Sequence, residues 1–125
     1  TNCLFSHSKA GGLQADGTRH LVVEGNVFHH TYSTGVWITD TCARNTIVLR
    51  QNLALETLRH PLETTVFHRP FAAFMMEVPP KELTGNVAAG STDSGFVIRP
   101  SLHQCTLGDS GERFDEAKLN EAAGC

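Results

Sequence analysis

Histidine is the residue type in this chain best suited to chemistry. Seven occur in 125 residues, and an imidazole can ligate a metal or move a proton near neutral pH. His29 and His30 are adjacent, His7 precedes His30 by one interval (30 − 7 = 23), and His60 and His68 follow farther on. A metal centre would require two or three of His7, His30, His68 and Asp40 to converge. In an extended strand, neighbouring side chains point to opposite faces. His29 and His30 therefore reach one ligand together only across a bulge. The simpler expectation is a set of surface or partly buried imidazoles bonded to neighbours, with no bound metal and no cofactor.

Carboxylates offer a second chemistry. Cleavage of a polysaccharide needs paired carboxylates, or a carboxylate beside a basic group, held close together. Glu24, Asp40 and Glu77 are the candidates, with Arg50 and Arg99 as basic partners, yet none forms a compact motif. The interval between Glu24 and Arg50 (50 − 24 = 26) suits an ion pair between repeats better than a catalytic pair. No nucleophile elbow, phosphate-binding loop or dinucleotide fingerprint is present. Trp37 and Tyr32 could stack on a sugar, although a lone tryptophan on a strand is more often a core residue. His30, Asp40, Glu77, His68 and Trp37 are thus the glycan or metal candidates, and no residue is assigned a catalytic role.

The elements that must position these residues are repetitive. Leu21 to His30 runs Leu-Val-Val-Glu-Gly-Asn-Val-Phe-His-His, and Leu49–Ala54 and Leu83–Ala88 echo it. Each time a short apolar run passes through two small or polar residues into an asparagine. The interval from Asn26 to Asn52 (52 − 26 = 26) matches that of Glu24 and Arg50, and the interval from Asn52 to Asn86 is longer (86 − 52 = 34). Gly35-Val36-Trp37-Ile38 and Gly95-Phe96-Val97-Ile98 both begin nine residues after an asparagine (35 − 26 = 95 − 86 = 9). Strands of three to five residues separated by Gly, Asn and Asp suit stacked coils rather than an open sheet. The expected fold is all-β: a right-handed parallel β-helix of about four coils over residues 1–100. A loop is expected to be inserted at 56–70, followed by a buried strand over Phe71–Met76.

Within such coils Asn26, Asn52 and Asn86 are expected to form a ladder, each bonding the backbone and its neighbours above and below. Asparagine also tolerates the left-handed backbone that corners often need. Residues 1–20 read as a partial coil, because Phe5-Ser6-His7 and Gly12-Leu13 precede Phe28-His29-His30 and Gly35-Val36 by a constant offset (28 − 5 = 35 − 12 = 23). That register puts Cys3 level with Asn26, and a one-residue bulge would place Asn2 there instead. Beyond Pro100, residues 101–125 are expected to form an irregular or short-helical cap or tail. Asp109–Glu112 can act as a capping box for a helix over roughly 112–123.

Composition excludes several functions. The formal net charge is −3 and no basic run occurs, which argues against nucleic acid. No apolar stretch approaches the roughly 20 residues of a membrane-spanning helix, so no membrane contact by this segment is expected. The numbering begins inside a pattern already under way, and the chain is expected to be a piece of a longer protein. Cys3, Cys42, Cys105 and Cys125 lack the close pairing of a zinc ribbon and leave three disulfide connectivities, or free thiols, open. No glycosylation sequon occurs.

The stretches Gly25–Val36 and Leu83–Ser91, the second followed by Gly95-Phe96, resemble the parallel β-helix repeats of the fibrocystin family, and more distantly of cell-surface hyaluronidases. The resemblance covers roughly residues 20–100. It implies a non-catalytic structural or interaction module within a large extracellular or ciliary-surface glycoprotein of coat or receptor-like type. Its implied partners are flanking coils or another copy stacked end to end, and extracellular glycan or protein. The hyaluronidase relatives imply the alternative, part of a polysaccharide-active enzyme of hydrolase or lyase type.

Overall fold

The computed structural model describes residues 1–39, 45–59 and 71–99, together with the backbone of 106–107 and 112–113. Eleven short strands fill the first three segments: β1 (Leu4–Ser6), β2 (Leu13–Asp16), β3 (His20–Glu24), β4 (Val27–Tyr32), β5 (Thr34–Thr39), β6 (Thr46–Arg50), β7 (Leu53–Leu58), β8 (Ala72–Met76), β9 (Glu82–Thr84), β10 (Val87–Ala89) and β11 (Ser94–Ile98). Each is rich in Val, Ile, Leu, Phe, Ala or Thr, and most alternate inward and outward side chains, as a half-buried strand requires. Among the described residues there is no helix.

Pairing follows one rule. Every strand from β1 to β8 lies parallel to the strand three places later, giving a first sheet β1-β4-β7-β10, a second sheet β2-β5-β8-β11 and a third sheet β3-β6-β9. The chain therefore visits the three sheets in rotation. Asn26 pairs in level with Asn52 and Asn86, since Val27 faces Leu53 and Leu53 faces Val87. Gly35 and Gly95 likewise share a level through Ala73, between the Thr34–Ala72–Ser94 and Val36–Phe74–Phe96 partners. The constant offset of the first cycle also holds, with Phe5 on Phe28 and Leu13 on Val36. Cys3, rather than Asn2, takes the asparagine level: its carbonyl accepts from Val27 N at 2.9 Å, as Asn26 O accepts from Leu53 N.

The inserted segment begins later than the sequence suggests. Glu56, Thr57 and Leu58 belong to β7, where Thr57 and Leu58 pair with Thr31 and Tyr32. The extra residues fall between Leu58 and Ala72, and 60–70 lie outside the described residues. The interval from Val36 to its partner Phe74 is consequently long (74 − 36 = 38), and that from Phe74 to Phe96 is short (96 − 74 = 22). The strand expected over Phe71–Met76 is present as β8, buried along its whole length.

The C-terminal helix is not formed where it should begin. Glu112–Arg113 is instead a short strand, β13, paired antiparallel with β12 (Thr106–Leu107). An apolar stripe as thin as Phe114, Ala117, Leu119 and Ala122 offers a helix little to bury, so the backbone finds a ladder partner instead. Residues 114–123 lie outside the described residues, as do Cys42, Cys105 and Cys125; Cys3 is a free, exposed thiol.

Between the sheets runs a core built as stacks. Val36 lies level with Phe74, Ile38 with Met76 and Phe28 with Ala54, and all six are buried to within 1% of full occlusion. Phe5 stacks on Phe28 with centroids 4.8 Å apart and Phe74 on Phe96 at 4.9 Å. Each large side chain so enclosed contributes roughly 1.5–3 kcal/mol. The stacks stop at the last strands: Phe96 and Ile98, which continue the Phe74 and Met76 positions, are 43% and 44% exposed.

Candidate functional site

The repeated asparagines hold the corner between the third and first sheets. Asn52 Oδ1 accepts from both Asn26 N and Asn26 Nδ2 at 3.0 Å, while Asn86 Oδ1 accepts from Asn52 N at 3.1 Å and Asn52 Nδ2 at 2.8 Å. Asn52 Nδ2 also donates to Val23 O, and Asn86 Nδ2 to Leu49 O. Cys3 N donates to Asn26 Oδ1 and ends the ladder. The left-handed backbone is not on these asparagines but one residue earlier: Asn2, Gly25, Gln51 and Gly85 have φ of 53°, 64°, 55° and 61°. The ladder uses the side-chain amides of Asn26, Asn52 and Asn86 and the main-chain N–H groups of Asn26 and Asn52, with no left-handed backbone at the asparagines themselves.

A second left-handed track runs along the first sheet. His7, His30, Glu56 and Gly90 occupy equivalent levels with φ of 55°, 53°, 53° and 67°. There the β4–β7 pairing passes from His29–Leu55 directly to Thr31–Thr57. Neither strand carries an extra residue; the left-handed backbone at both His30 and Glu56 breaks the alternation, so His29 and His30 both lie outward between the buried Phe28 and Thr31. Adjacent histidines therefore share one carboxylate: Glu56 Oε2 lies 3.2 Å from His30 Nδ1 and 3.5 Å from His29 Nε2. His7 stacks on His30 with centroids 5.1 Å apart and meets His29 edge-on at 5.4 Å. Tyr32 lies edge-on to His30 at 5.8 Å.

The hydrogen bond from His30 holds the Glu56 carboxyl below the usual carboxylate range. Desolvation opposes this shift, and the charges of His29, His30 and His7 assist it. Of the histidines considered for a metal, His7 and His30 do come together, but face to face. Among the described residues no three His, Cys, Asp or Glu side chains form a metal-binding group. Asp40 and His68 lie outside the described residues. Glu56 is hidden in the sequence because it falls where a loop is expected to begin. Its signal is nonetheless there: it follows His30 by the same interval that separates Asn26 from Asn52 (56 − 30 = 52 − 26 = 26).

Trp37 is not a core residue. It projects between the buried Val36 and Ile38 and lies between Gln14 and Met75 in the second sheet. With Lys9, Ala10, Gly11, Leu13, Gln14, Ser33 and Thr34 it lines a groove of about 330 Å³ at the corner between the first and second sheets. The small Ala10 and Gly11 of the first cycle stand where the second has Ser33 and Thr34, which helps open it. Lys9 is two residues beyond His7 and Ser33 three beyond His30, so the groove continues the histidine surface across the corner.

The remaining candidates are spread apart. Glu24, at the end of β3, receives Arg50 Nε at 2.9 Å and Nη2 at 3.1 Å, the inter-repeat ion pair that their spacing suggested. That bond chiefly lowers the Glu24 pKa. Glu77 follows β8 and accepts from Thr39 Oγ1 at 2.6 Å. Glu24 and His30 thus belong to the third and first sheets, and Glu77 adjoins the second. The arrangement offers an outward surface of imidazole, phenol and indole rings with hydrogen-bonding groups between them. No family model, curated protein or solved structure matches the chain.

Proposed function

We propose that the chain winds as a right-handed parallel β-helix of about four coils. It serves as a non-catalytic structural and interaction module of a large extracellular or ciliary-surface protein, binding glycan or protein on its outer face. The rotation of parallel strands through three sheets supports the winding. The hand follows from the strong right-handed preference of crossovers between parallel strands. The resemblance to fibrocystin-type repeats supports the compartment and the coat-like or receptor-like role.

One observation carries the interaction reading. Among the described residues the stack ends on unpaired edge strands, and Phe96 and Ile98 are substantially exposed in what are core positions one cycle earlier. Coil stacks of this kind need caps or neighbours. Flanking coils of the same protein, or a second copy stacked end to end, supply them here. Light scattering across a concentration series tests this for the 125-residue chain. Concentration-dependent association is expected, and a stable monomer at all concentrations would overturn it. Labelling of the tagged full-length protein by a membrane-impermeant reagent on intact cells tests the compartment. Shortening of hyaluronan by the full-length protein would establish the polysaccharide-active alternative in place of this one.

A further inference from the structure

We infer that the Trp37 groove is a binding site for a short acidic saccharide unit, a pyranose bearing a carboxylate. The inference deepens the interaction reading above by naming the ligand of one part of the surface.

Size comes first. At about 330 Å³ the groove lies at the lower end of small-molecule sites, which span roughly 300–1,000 Å³. It suits a short unit rather than a long tract of polymer or a protein segment. Its walls supply the chemistry of a sugar. The Trp37 indole and Leu13 give an apolar face, against which the C–H side of a pyranose packs while its hydroxyls remain at the rim. Gln14 offers an amide, donor and acceptor together, and Ser33 a hydroxyl. Neither side chain has a hydrogen-bond partner among the described residues, so both are available to ring hydroxyls.

Charge selects the acid. Lys9 is exposed and has no ion pair among the described residues, whereas Arg50 is occupied by Glu24. No Asp or Glu is among the described residues that line the groove. An ammonium with no protein counter-charge, at the edge of an indole-floored groove, is matched by a ligand carboxylate.

The groove is also built in advance. Ser8 Oγ donates to Gly11 O at 3.0 Å and accepts from Ala10 N at 3.3 Å, which ties down the turn that carries Lys9. Gly12 N donates to Thr34 O at 3.0 Å, and Ser33, at φ 76°, donates its N–H to Leu58 O at 2.7 Å. Little ordering remains to oppose binding.

Trp37 is the sole tryptophan, so intrinsic tryptophan emission reports on this groove alone. The test titrates the 125-residue chain with a glucuronate-terminated disaccharide, its neutral glucose-terminated counterpart and acetate. Saturable emission change with the acidic disaccharide is expected, with weaker binding of the neutral one and none of acetate. Lys9→Gln, at an exposed position, should raise Kd about fivefold, the upper range for an exposed charge contact. It should also abolish the acid preference and leave far-UV circular dichroism unchanged. By calorimetry, Trp37→Phe should retain binding and Trp37→Ala should lose it. Equal affinity for the acidic and neutral disaccharides, no saturable change with either, or acetate binding as well as the sugar acid would each overturn the assignment. The self-association measurement is independent of these titrations. Loss of end-to-end stacking with sugar binding intact therefore refutes the stacking alone, and the converse refutes the groove alone.

Discussion

Replacing Asn52 with alanine should be the most damaging single change in the asparagine ladder. Asn52 is 1% exposed and its side chain makes four contacts: Oδ1 accepts from Asn26 N and Nδ2, and Nδ2 donates to Val23 O and Asn86 Oδ1. Truncation leaves the Asn26 main-chain N–H and its side-chain Nδ2 without their shared acceptor in the interior. A buried polar group left without a partner costs about 1–3 kcal/mol. Two such groups, with the lost packing, give a destabilisation of about 4 kcal/mol, a large share of the ~5–15 kcal/mol typical of a domain. Asn86→Ala strips the bond to Leu49 O and those Asn86 Oδ1 accepts from Asn52 N and Nδ2, but at a level only partly buried. Water can replace the lost partner there, and the cost should be near ~1 kcal/mol. Urea unfolding followed by circular dichroism separates the two. With a slope of about 2 kcal/mol/M, the midpoint falls by about 2 M for Asn52→Ala and about 0.5 M for Asn86→Ala. A loss below about 1 kcal/mol at Asn52, or equal losses at both positions, would refute a ladder whose strength comes from burial.

Three further outcomes follow from the same geometry. The Glu24 and Glu56 carboxyls are both held below the ordinary carboxylate range. The stability they supply is therefore complete above their unfolded value of about 4.3 and disappears as pH falls through the lower folded values. Glu24→Gln with Glu56→Gln should weaken the protein at neutral pH and flatten its acid limb; an unchanged profile of stability against pH would contradict this. A Cβ at Gly35 would lie 2.6 Å from the Ala73 carbonyl oxygen, a backbone atom that cannot step aside, so Gly35→Ala should cost about 1–3 kcal/mol, read from thermal unfolding. Phe96→Asp places a charge on the open end of the core and should suppress concentration-dependent association in light scattering while leaving the β spectrum intact.

Much of this was legible in the chain because the core repeats in register. Asn26, Asn52 and Asn86, and Gly35 and Gly95, recur because a side-chain ladder and a close approach to the backbone repeat at those levels, although Cys3 and Ala73 occupy the same levels without either signal. The outward surface is less legible. Glu56 joins His29 and His30 only because the backbone turns left-handed at His30 and Glu56, and neither residue type announces that conformation as glycine does. Trp37 is legible only as a choice between a core residue and a sugar platform; alternation between the buried Val36 and Ile38 takes it out of the core. At the C-terminus the capping signal is not backed by an apolar face, and Glu112, at the expected helix start, pairs as a strand instead; 114–123 lie outside the described residues.

The left-handed track of the first sheet separates what the fold needs from what it carries. Of its four positions, only Gly90 is a glycine; His7, His30 and Glu56 hold the same backbone at φ of 55°, 53° and 53°. A residue with a Cβ incurs roughly 1–2 kcal/mol in that region, which glycine avoids. Three such residues are a standing cost to the fold, and their side chains point outward, where they return little packing. His30→Gly should therefore leave stability unchanged or raise it slightly, and it should be about 1 kcal/mol more stable than His30→Ala, which keeps the strain and loses the imidazole. Both variants remove the hydrogen bond to Glu56 and the stacking on His7, so the difference between them reports the backbone alone. Urea midpoints of the two variants and of the unchanged chain decide the matter. If His30→Gly instead destabilises as much as His30→Ala, the histidine cluster is a structural clasp. If it does not, the strained residues serve the outer surface, and the cluster beside the Trp37 groove is there for what it meets.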